Sequence, residues 1–239
     1  MVSHLTVHEL ARTFTSGHAT EGKALFAFVR DLYAQIDHPP VVLWSRERKY
    51  LDGGVPVVSR LDSRNRRFTR SHINRLADGR LGSELTGLIH QRAADKLKFG
   101  RSTEFFLEQV KQLRRDEPSA IPKISDFPSA VKMFAPSALK FIQAMSDSPM
   151  SDDVAQRVLA RIDELPAHRS HHRFWLYMMF ICIKTKQVPG RDKLDDYRHV
   201  IEASYCDIFV SRDRQQLYAA PLIGTHLTAI AIDDVLDRA

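Results

Sequence analysis

The C-terminal part of the chain constrains the fold most, because it reads as alternating helices and strands. The spacing predicts a helix over 195–204 that leads into a continuously apolar strand at 208–210. After a short helix, a second β-prone segment follows at 227–231, and a closing helix at 233–238. Strands that are apolar along their whole length and alternate with helices are typical of a parallel sheet covered on both faces. We therefore expect an α/β fold in this region.

The rest of the chain is predicted to be mainly helical. Apolar residues at helical spacing predict several helices, and the run at 174–183, apolar nearly all round, predicts a buried one. An irregular connector is predicted from Pro118, Pro122, Pro128 and Pro136. The predicted helices cover 3–16, 22–36, 83–115, 137–146, 151–164 and 170–186, and 41–44 is a short candidate strand.

Positive charge is concentrated in one segment. The net charge is +6, and residues 41–80 hold ten Lys and Arg against four Asp and Glu, a surplus of six that equals that of the whole chain. Such a segment suits a polyanionic partner, with a solvated charged face as an equal alternative. The residues proposed to contact phosphates are Arg64, Arg66, Arg67 and Arg70, with Phe68 among them as a weak indication of base stacking.

Acidic residues fall where parallel sheets collect their ligands, at the carboxyl ends of strands. Asp213 lies three residues beyond the apolar run that ends at Val210. Asp195 and Asp196 open the helix that feeds this strand, and Glu9 lies on the first helix. Converging carboxylates repel one another unless hard divalent cations neutralise them, and Mg²⁺ or Mn²⁺ fit such oxygen ligands. These ions also activate water and stabilise charge on a phosphodiester.

The same residues resemble the PIN-like nuclease family. Ser211–Arg212–Asp213 matches the family's Thr/Ser-x-Asp step after a strand, and Asp195 precedes Asp213 by eighteen residues. A motif of larger PIN-like proteins matches Asp196–Tyr197–Arg198–His199 and then Tyr205–Cys206–Asp207–Ile208–Phe209–Val210. The first match favours Asp195 as a ligand and the second favours Asp196. Residues 3–12 resemble the segment with the family's second acid, Glu9, and 226–236 resemble its terminal strand and helix.

The resemblance implies both a fold and a function. The fold is a PIN-like parallel sheet flanked by helices, with 1–36 and 190–239 as the α/β core and 41–187 as a basic segment and a large, mainly helical insertion. The function is that of a metal-dependent ribonuclease with Glu9, Asp195, Asp196 and Asp213 around Mg²⁺ or Mn²⁺. The alternative is a catalytically degenerate PIN-like module that binds nucleic acid or protein.

The family pattern has one element that these residues do not supply. PIN-like domains open with a strand that ends in an Asp, ahead of the helix that carries the second acid. Met1 lies only two residues before Ser3, so there is no room for that strand in this sequence. We therefore expect either a start upstream of Met1 or a domain that lacks one metal ligand, which would weaken metal binding.

Each candidate residue also has a structural alternative. Thr6-x-x-Glu9 is a capping box, Asp195 and Asp196 are ordinary helix N-caps, and Asp213 can cap the helix after the strand. Ser151 is the predicted N-cap of the helix at 151–164. The histidines beside the buried helix predicted at 170–186 are interpreted as its solvated start rather than as a metal site. They are His168, His171 and His172.

The expected partner is RNA or another nucleic acid, and the sequence leaves open an antitoxin, another protein partner and a homodimer. No membrane is expected, because the apolar run at 174–183 is too short to cross a bilayer. Cys182 and Cys206 both lie in apolar runs, which favours reduced thiols in a cytoplasmic protein over a disulfide framework.

Overall fold

A computed structural model describes most of the C-terminal half of the chain and shorter parts of the N-terminal half. The described stretches are 17–35, 47–53 without 49, single residues and short pieces of 71–86 and 108–116, 124–144, 150–187 without 186, and 191–236. The predicted helix at 3–16, the strand at 41–44 and most of the helix at 83–115 lie outside them. The chain divides into two compact units, 1–46 with 55–99, and 47–54 with 100–239.

In the first unit, helix α1 spans Ala19–Gln35, close to the helix predicted at 22–36. Its buried face runs through Phe26 and Val29, whereas Leu25 and Phe28 are 41% and 62% exposed. The helix was predicted from an apolar stripe through Leu25, Phe28, Val29, Leu32 and Ile36, and this stripe was wrong at Leu25 and Phe28. Apolar residues occur on more than one side of this helix, so periodicity alone did not select the side that packs.

The second unit is built around one long helix. Its first helices are α2 (Phe127–Phe134), α3 (Ala138–Ala144), α4 (Asp152–Ala160) and α5 (Pro166–Thr185), with short 3₁₀ turns at Ala135–Ser137 and Ile162–Glu164. Helix α5 packs against α2 and α3 and against later helices. Every residue from Phe174 to Phe180 is buried, which confirms the buried helix predicted from the apolar run.

The irregular connector predicted from the prolines was wrong over 127–137. Asp126 caps α2 by accepting a hydrogen bond from the Ser129 N–H at 2.8 Å, and Pro128 lies in the first turn. Pro136 lies in the 3₁₀ turn that follows. The first N–H groups of a helix have no intrahelical acceptor, so a proline there removes no hydrogen bond. The predicted Ser151 cap is confirmed, since its side chain accepts from the Val154 N–H.

The C-terminal part has the predicted order of helices and strands. It contains α6 (Arg191–Glu202), β1 (Ile208–Ser211), α7 (Arg214–Ile223), β2 (Thr228–Ala231) and α8 (Ile232–Leu236). The two strands are parallel, with Ile208 opposite Thr228 and Ser211 opposite Ala231. Helix α7 contacts both strands, and α6 and α7 both contact α5. The described part of the protein is therefore mixed α/β and mostly helical, with a small parallel sheet.

The sequence predicted a sheet covered on both faces, but two residues of β1 are exposed. Phe209 is buried, but Ile208 and Val210 are 54% and 43% exposed. Successive side chains of a strand point to opposite faces, so one face of β1 packs inward and the other is open in the described structure. Among the described residues, no helix combines the length and apolarity that a bilayer crossing requires.

Candidate functional site

The carboxyl end of β1 leads directly into Asp213, the candidate ligand after the strand. Asp213 is the N-cap of α7, and its Oδ1 accepts hydrogen bonds from the backbone N–H of Gln215 at 2.7 Å and of Gln216 at 3.3 Å. The Ser211 Oγ accepts from the Asp213 N–H at 3.0 Å. The Ser-x-Asp step is thus a compact turn, and the capping role considered for Asp213 is confirmed.

One glutamine links this turn to the helix that precedes the strand. The Ser211 hydroxyl donates to Gln216 Oε1 at 2.6 Å, and Gln216 Nε2 donates to the backbone carbonyl of Asp196 at 3.3 Å. The side chain of Gln216 therefore connects Asp196 on α6 with the loop that holds Asp213. The resemblance implied that Asp195 or Asp196 shares a site with Asp213, but the bridging role of Gln216 was not predicted.

The charges of Asp196 and Asp213 both affect the pKa of one tyrosine, Tyr197. Tyr197 is buried, with its ring edge-on to Tyr177 at a centroid distance of 5.5 Å. Burial raises the pKa of Tyr197, and the negative charges of Asp213 and Asp196 raise it further. The charges of both carboxylates therefore act on the pKa of this hydroxyl in the same direction. Neither the composition nor the motifs had singled out Tyr197 as part of the site.

The other predicted site residues are not brought together by the described structure. Asp195 lies on α6 beside Asp196, but its side chain is outside the described part. Helix α6 begins at Arg191, four residues before Asp195, so the interpretation of the two aspartates as helix openers was wrong. Glu9 and the four arginines lie outside the described residues; the arginines are Arg64, Arg66, Arg67 and Arg70. Across the described ranges, no group of three or more His, Cys, Asp or Glu is arranged to hold a metal.

A second cluster, which the sequence did not reveal, lies at the start of α5. The carboxylate of Glu47 is fully buried and accepts hydrogen bonds from the backbone N–H of Ala167 at 2.7 Å and of His168 at 2.9 Å. The Tyr205 hydroxyl donates to Glu47 Oε1 at 2.6 Å, and the His168 Nδ1 forms a short hydrogen bond with Oε2. We call Glu47, His168 and Tyr205 the buried carboxylate cluster.

The burial of this cluster defines what it can do. Glu47 is 0% and His168 1% exposed, so neither side chain can reach a substrate in this conformation. A buried carboxylate is stable only when charges and hydrogen-bond donors compensate it, and here the helix N-terminus and two side chains supply them. The cluster is therefore structural: it fixes the segment at 47–53 to the start of α5.

The histidines of α5 differ from the solvated start that the sequence predicted. His168 is buried, and burial lowers the pKa of His171. Burial also lowers the pKa of His172 to about 4, with a smaller contribution from Arg173. The imidazole of His171 accepts a hydrogen bond from the Trp175 indole at 2.9 Å. The interpretation was wrong because α5 begins at Pro166, so these residues lie one turn inside a buried helix.

One local signal points to the buried carboxylate cluster in retrospect. The residue before α5 is Leu165, whose side chain has no acceptor for the first N–H groups of the helix. A buried helix start without a local cap requires an acceptor from elsewhere in the chain. The sequence could indicate this need, but it could not identify Glu47, which lies 120 residues before Ala167.

Comparisons of the chain with protein-family models, curated proteins and solved structures find no match.

Proposed function

We propose that the chain is a cytoplasmic PIN-like ribonuclease that hydrolyses RNA phosphodiester bonds at an acidic Mg²⁺ or Mn²⁺ site. The observation that carries the proposal is that Gln216 joins the Asp213 turn, at the carboxyl end of β1, to the backbone of Asp196. The backbone N–H of Gln216 donates to the Asp213 carboxylate, and its side-chain amide donates to the Asp196 carbonyl. The negative charges of both aspartates raise the pKa of Tyr197. Ligands of parallel α/β sheets collect at this end of the strands.

The donor set of this site suits a hard divalent cation. Mg²⁺ is commonly held by one or two carboxylates, with water and substrate phosphates in the remaining positions. Asp196 and Asp213 would hold the ion, and Glu9 and Asp195 are the further acids of the proposal. When bound, such an ion supplies a water of lowered pKa and stabilises negative charge on the phosphodiester.

The residues around the acids position them. The two backbone N–H groups at the start of α7 and the Ser211 turn fix the direction of the Asp213 carboxylate, and both helix bonds end on Oδ1. Tyr197 is held by its burial against Tyr177. The arginines at 64–70 contribute contacts to the RNA backbone in this proposal, giving affinity without sequence readout.

The experiment is titration of Mn²⁺ into the wild type and into Asp213→Asn, followed by an RNA cleavage assay. Asparagine is as good an N-cap as aspartate, so this substitution removes the charge and retains the helix cap. We expect Mn²⁺ binding and cleavage to be lost together. Asp126→Asn is the matched control, because Asp126 caps α2 through the Ser129 N–H in the same way and is also exposed.

Cleavage that survives in Asp213→Asn, or in excess chelator, would contradict the proposal. Equal Mn²⁺ binding by the wild type and Asp213→Asn would contradict the assignment of Asp213 as a metal ligand. Loss of activity in Asp126→Asn as well would show that the assay reports capping rather than metal binding.

The second candidate function is a degenerate PIN-like module that binds nucleic acid or protein without cleaving it. One observation favours it: the Asp213 carboxylate has a complete structural role as a helix cap, which explains its presence without a metal. The same experiment separates the two functions. RNA that binds in chelator and is not cleaved when Mn²⁺ or Mg²⁺ is added supports the binding module.

A further inference from the structure

One side of α5 carries two arginines that have a single acidic partner among the described residues, the exposed Asp163. Arg169 and Arg173 are one helical turn apart and both are half-buried. Burial lowers the pKa of Arg173, and the positive charge of Arg169 lowers it further. Residues four apart on a helix lie on the same side, and like charges there destabilise each other. We call these two residues the α5 arginine pair.

Arg169 has only weak compensation for its charge. Its Nη1 lies 3.6 Å from the Asp163 carboxylate, which is 90% exposed, and its Nη2 lies 3.3 Å from His226 Nδ1. Its Nε is buried and has no hydrogen-bond partner among the residues that the structure describes. A long ion pair with an exposed partner contributes little, because water screens it. The guanidinium is therefore partly desolvated with part of its donor capacity unused.

Arg173 is held in a fixed direction by neutral groups. Its Nε donates to the Leu222 carbonyl at 2.7 Å, and its guanidinium carbon lies 5.2 Å from the centre of the Phe127 ring. Among the described residues, its two terminal nitrogens have no hydrogen bond or ion pair. The backbone carbonyl and the ring restrict the side chain before any ligand arrives, which reduces the entropy lost on binding.

We infer that the α5 arginine pair, with His226 beside Arg169, is a binding site for a phosphate group. Two guanidinium groups offer several N–H donors to the oxygens of one phosphate, and the ligand supplies negative charge beyond that of the exposed Asp163. The phosphate is carried by a nucleic-acid backbone, or it is free phosphate or a phosphate monoester. The site does not depend on a metal or on the acidic residues at the end of β1.

The test measures two probes against the same variants, with chelator present so that cleavage cannot interfere. The probes are a short fluorescently labelled single-stranded RNA and inorganic phosphate. The variants are Arg169→Gln and Arg173→Met, the second chosen because methionine retains an unbranched stem over Phe127. Arg157→Gln is the matched control, since Arg157 is an arginine of the same unit that already pairs with Asp52 and Asp153.

We expect Arg169→Gln and Arg173→Met each to bind the RNA or the phosphate at least about tenfold more weakly than the wild type. The control variant, Arg157→Gln, should bind as the wild type does. If the ligand is RNA, the slope of log affinity against log salt also falls by roughly 0.7 for each lost contact. A purely structural role for the arginines would not change this slope. If only inorganic phosphate is affected, the site is for free phosphate or a monoester.

Two results would overturn the inference. The first is unchanged binding of both probes in variants that keep the wild-type unfolding midpoint. The second is an equal loss in Arg157→Gln, which would show a general effect of surface charge. If the proposed metal-dependent ribonuclease function is wrong, this test is still valid, because binding is measured without metal.

Discussion

Two carboxylates of this protein perform the same task at two helix starts under opposite conditions. Glu47 accepts the first N–H groups of α5 at 2.7 and 2.9 Å, and Asp213 accepts those of α7 at 2.7 and 3.3 Å. Glu47 is completely buried and reaches its helix from 120 residues away, whereas Asp213 is exposed and caps its own chain two residues on.

The difference shows how burial determines the number of partners. The exposed carboxylate has water available, so two backbone donors and a short turn are sufficient for it. The buried carboxylate has lost its hydration, and His168 and Tyr205 complete its hydrogen bonds. Substitutions should therefore be severe at Glu47 and mild at Asp213, although the two side chains contact helices in the same way.

Removal of the buried carboxylate has the largest expected effect. Glu47→Ala leaves two backbone N–H groups, the His168 imidazole and the Tyr205 hydroxyl without their acceptor. We expect a loss of about 3–5 kcal/mol in the free energy of unfolding, as for other broken buried ion pairs. Urea unfolding followed by circular dichroism measures it. Glu164→Ala is the control, since that surface carboxylate pairs with Arg161, and its midpoint should stay unchanged. An unfolding midpoint as little changed in Glu47→Ala as in Glu164→Ala would contradict the structural role assigned to Glu47.

Removal of one donor to the same carboxylate tests the cluster from the other side. Tyr205→Phe deletes only the hydroxyl that donates to Glu47, and a hydrogen bond to a charged group contributes about 1.5–3 kcal/mol. Urea unfolding should show a loss in this range. Tyr218→Phe, at a tyrosine that is 63% exposed, should show none. Equal midpoints for both variants would mean that the Tyr205 hydroxyl does not stabilise the fold.

The pH dependence of Tyr205→Phe sharpens this prediction. Burial and the neighbouring Glu47 raise the pKa of Tyr205 in the folded protein. A group with a raised folded pKa contributes stability fully below its unfolded pKa, about 10 for tyrosine, and loses it as the pH rises further. The wild type should therefore lose stability above this pH more steeply than Tyr205→Phe. The remaining slope is expected from Tyr177 and Tyr197, whose pKa values burial also raises.

Local features of the fold were predictable because their causes lie within a few residues. The Ser151 cap acts on Val154, and the run from Phe174 to Phe180 is apolar on all sides of its helix. The strands of the small sheet were also predicted, since each is a short β-prone run between helices. The side chain of Gln216, which joins the Asp196 backbone to the Ser211 turn, was not predicted.

Features that depend on distant residues could not be read in the same way. His168 looks polar in isolation, but it is buried against Glu47, which is far away in sequence. Pro128 was taken as a helix breaker, but the Asp126 cap makes it a first-turn residue. The α5 arginine pair shows the same limit, because its weak counter-charge depends on which residues pack around the helix.

The smallest expected effect is at Asp213, and it makes the comparison useful for function. Asp213→Ala removes the local cap of α7 and should cost about 1 kcal/mol, measured by urea unfolding. Asp213→Asn should retain nearly all of that stability, because the amide oxygen can accept the same N–H bonds. A large loss in Asp213→Ala, of the size expected for Glu47→Ala, would contradict the view that exposure makes this cap dispensable.

If the alanine variant is only mildly destabilised, any loss of Mn²⁺ binding in Asp213→Asn must come from the missing charge. The exposed cap can then be changed without breaking the fold, which the buried carboxylate of Glu47 does not allow.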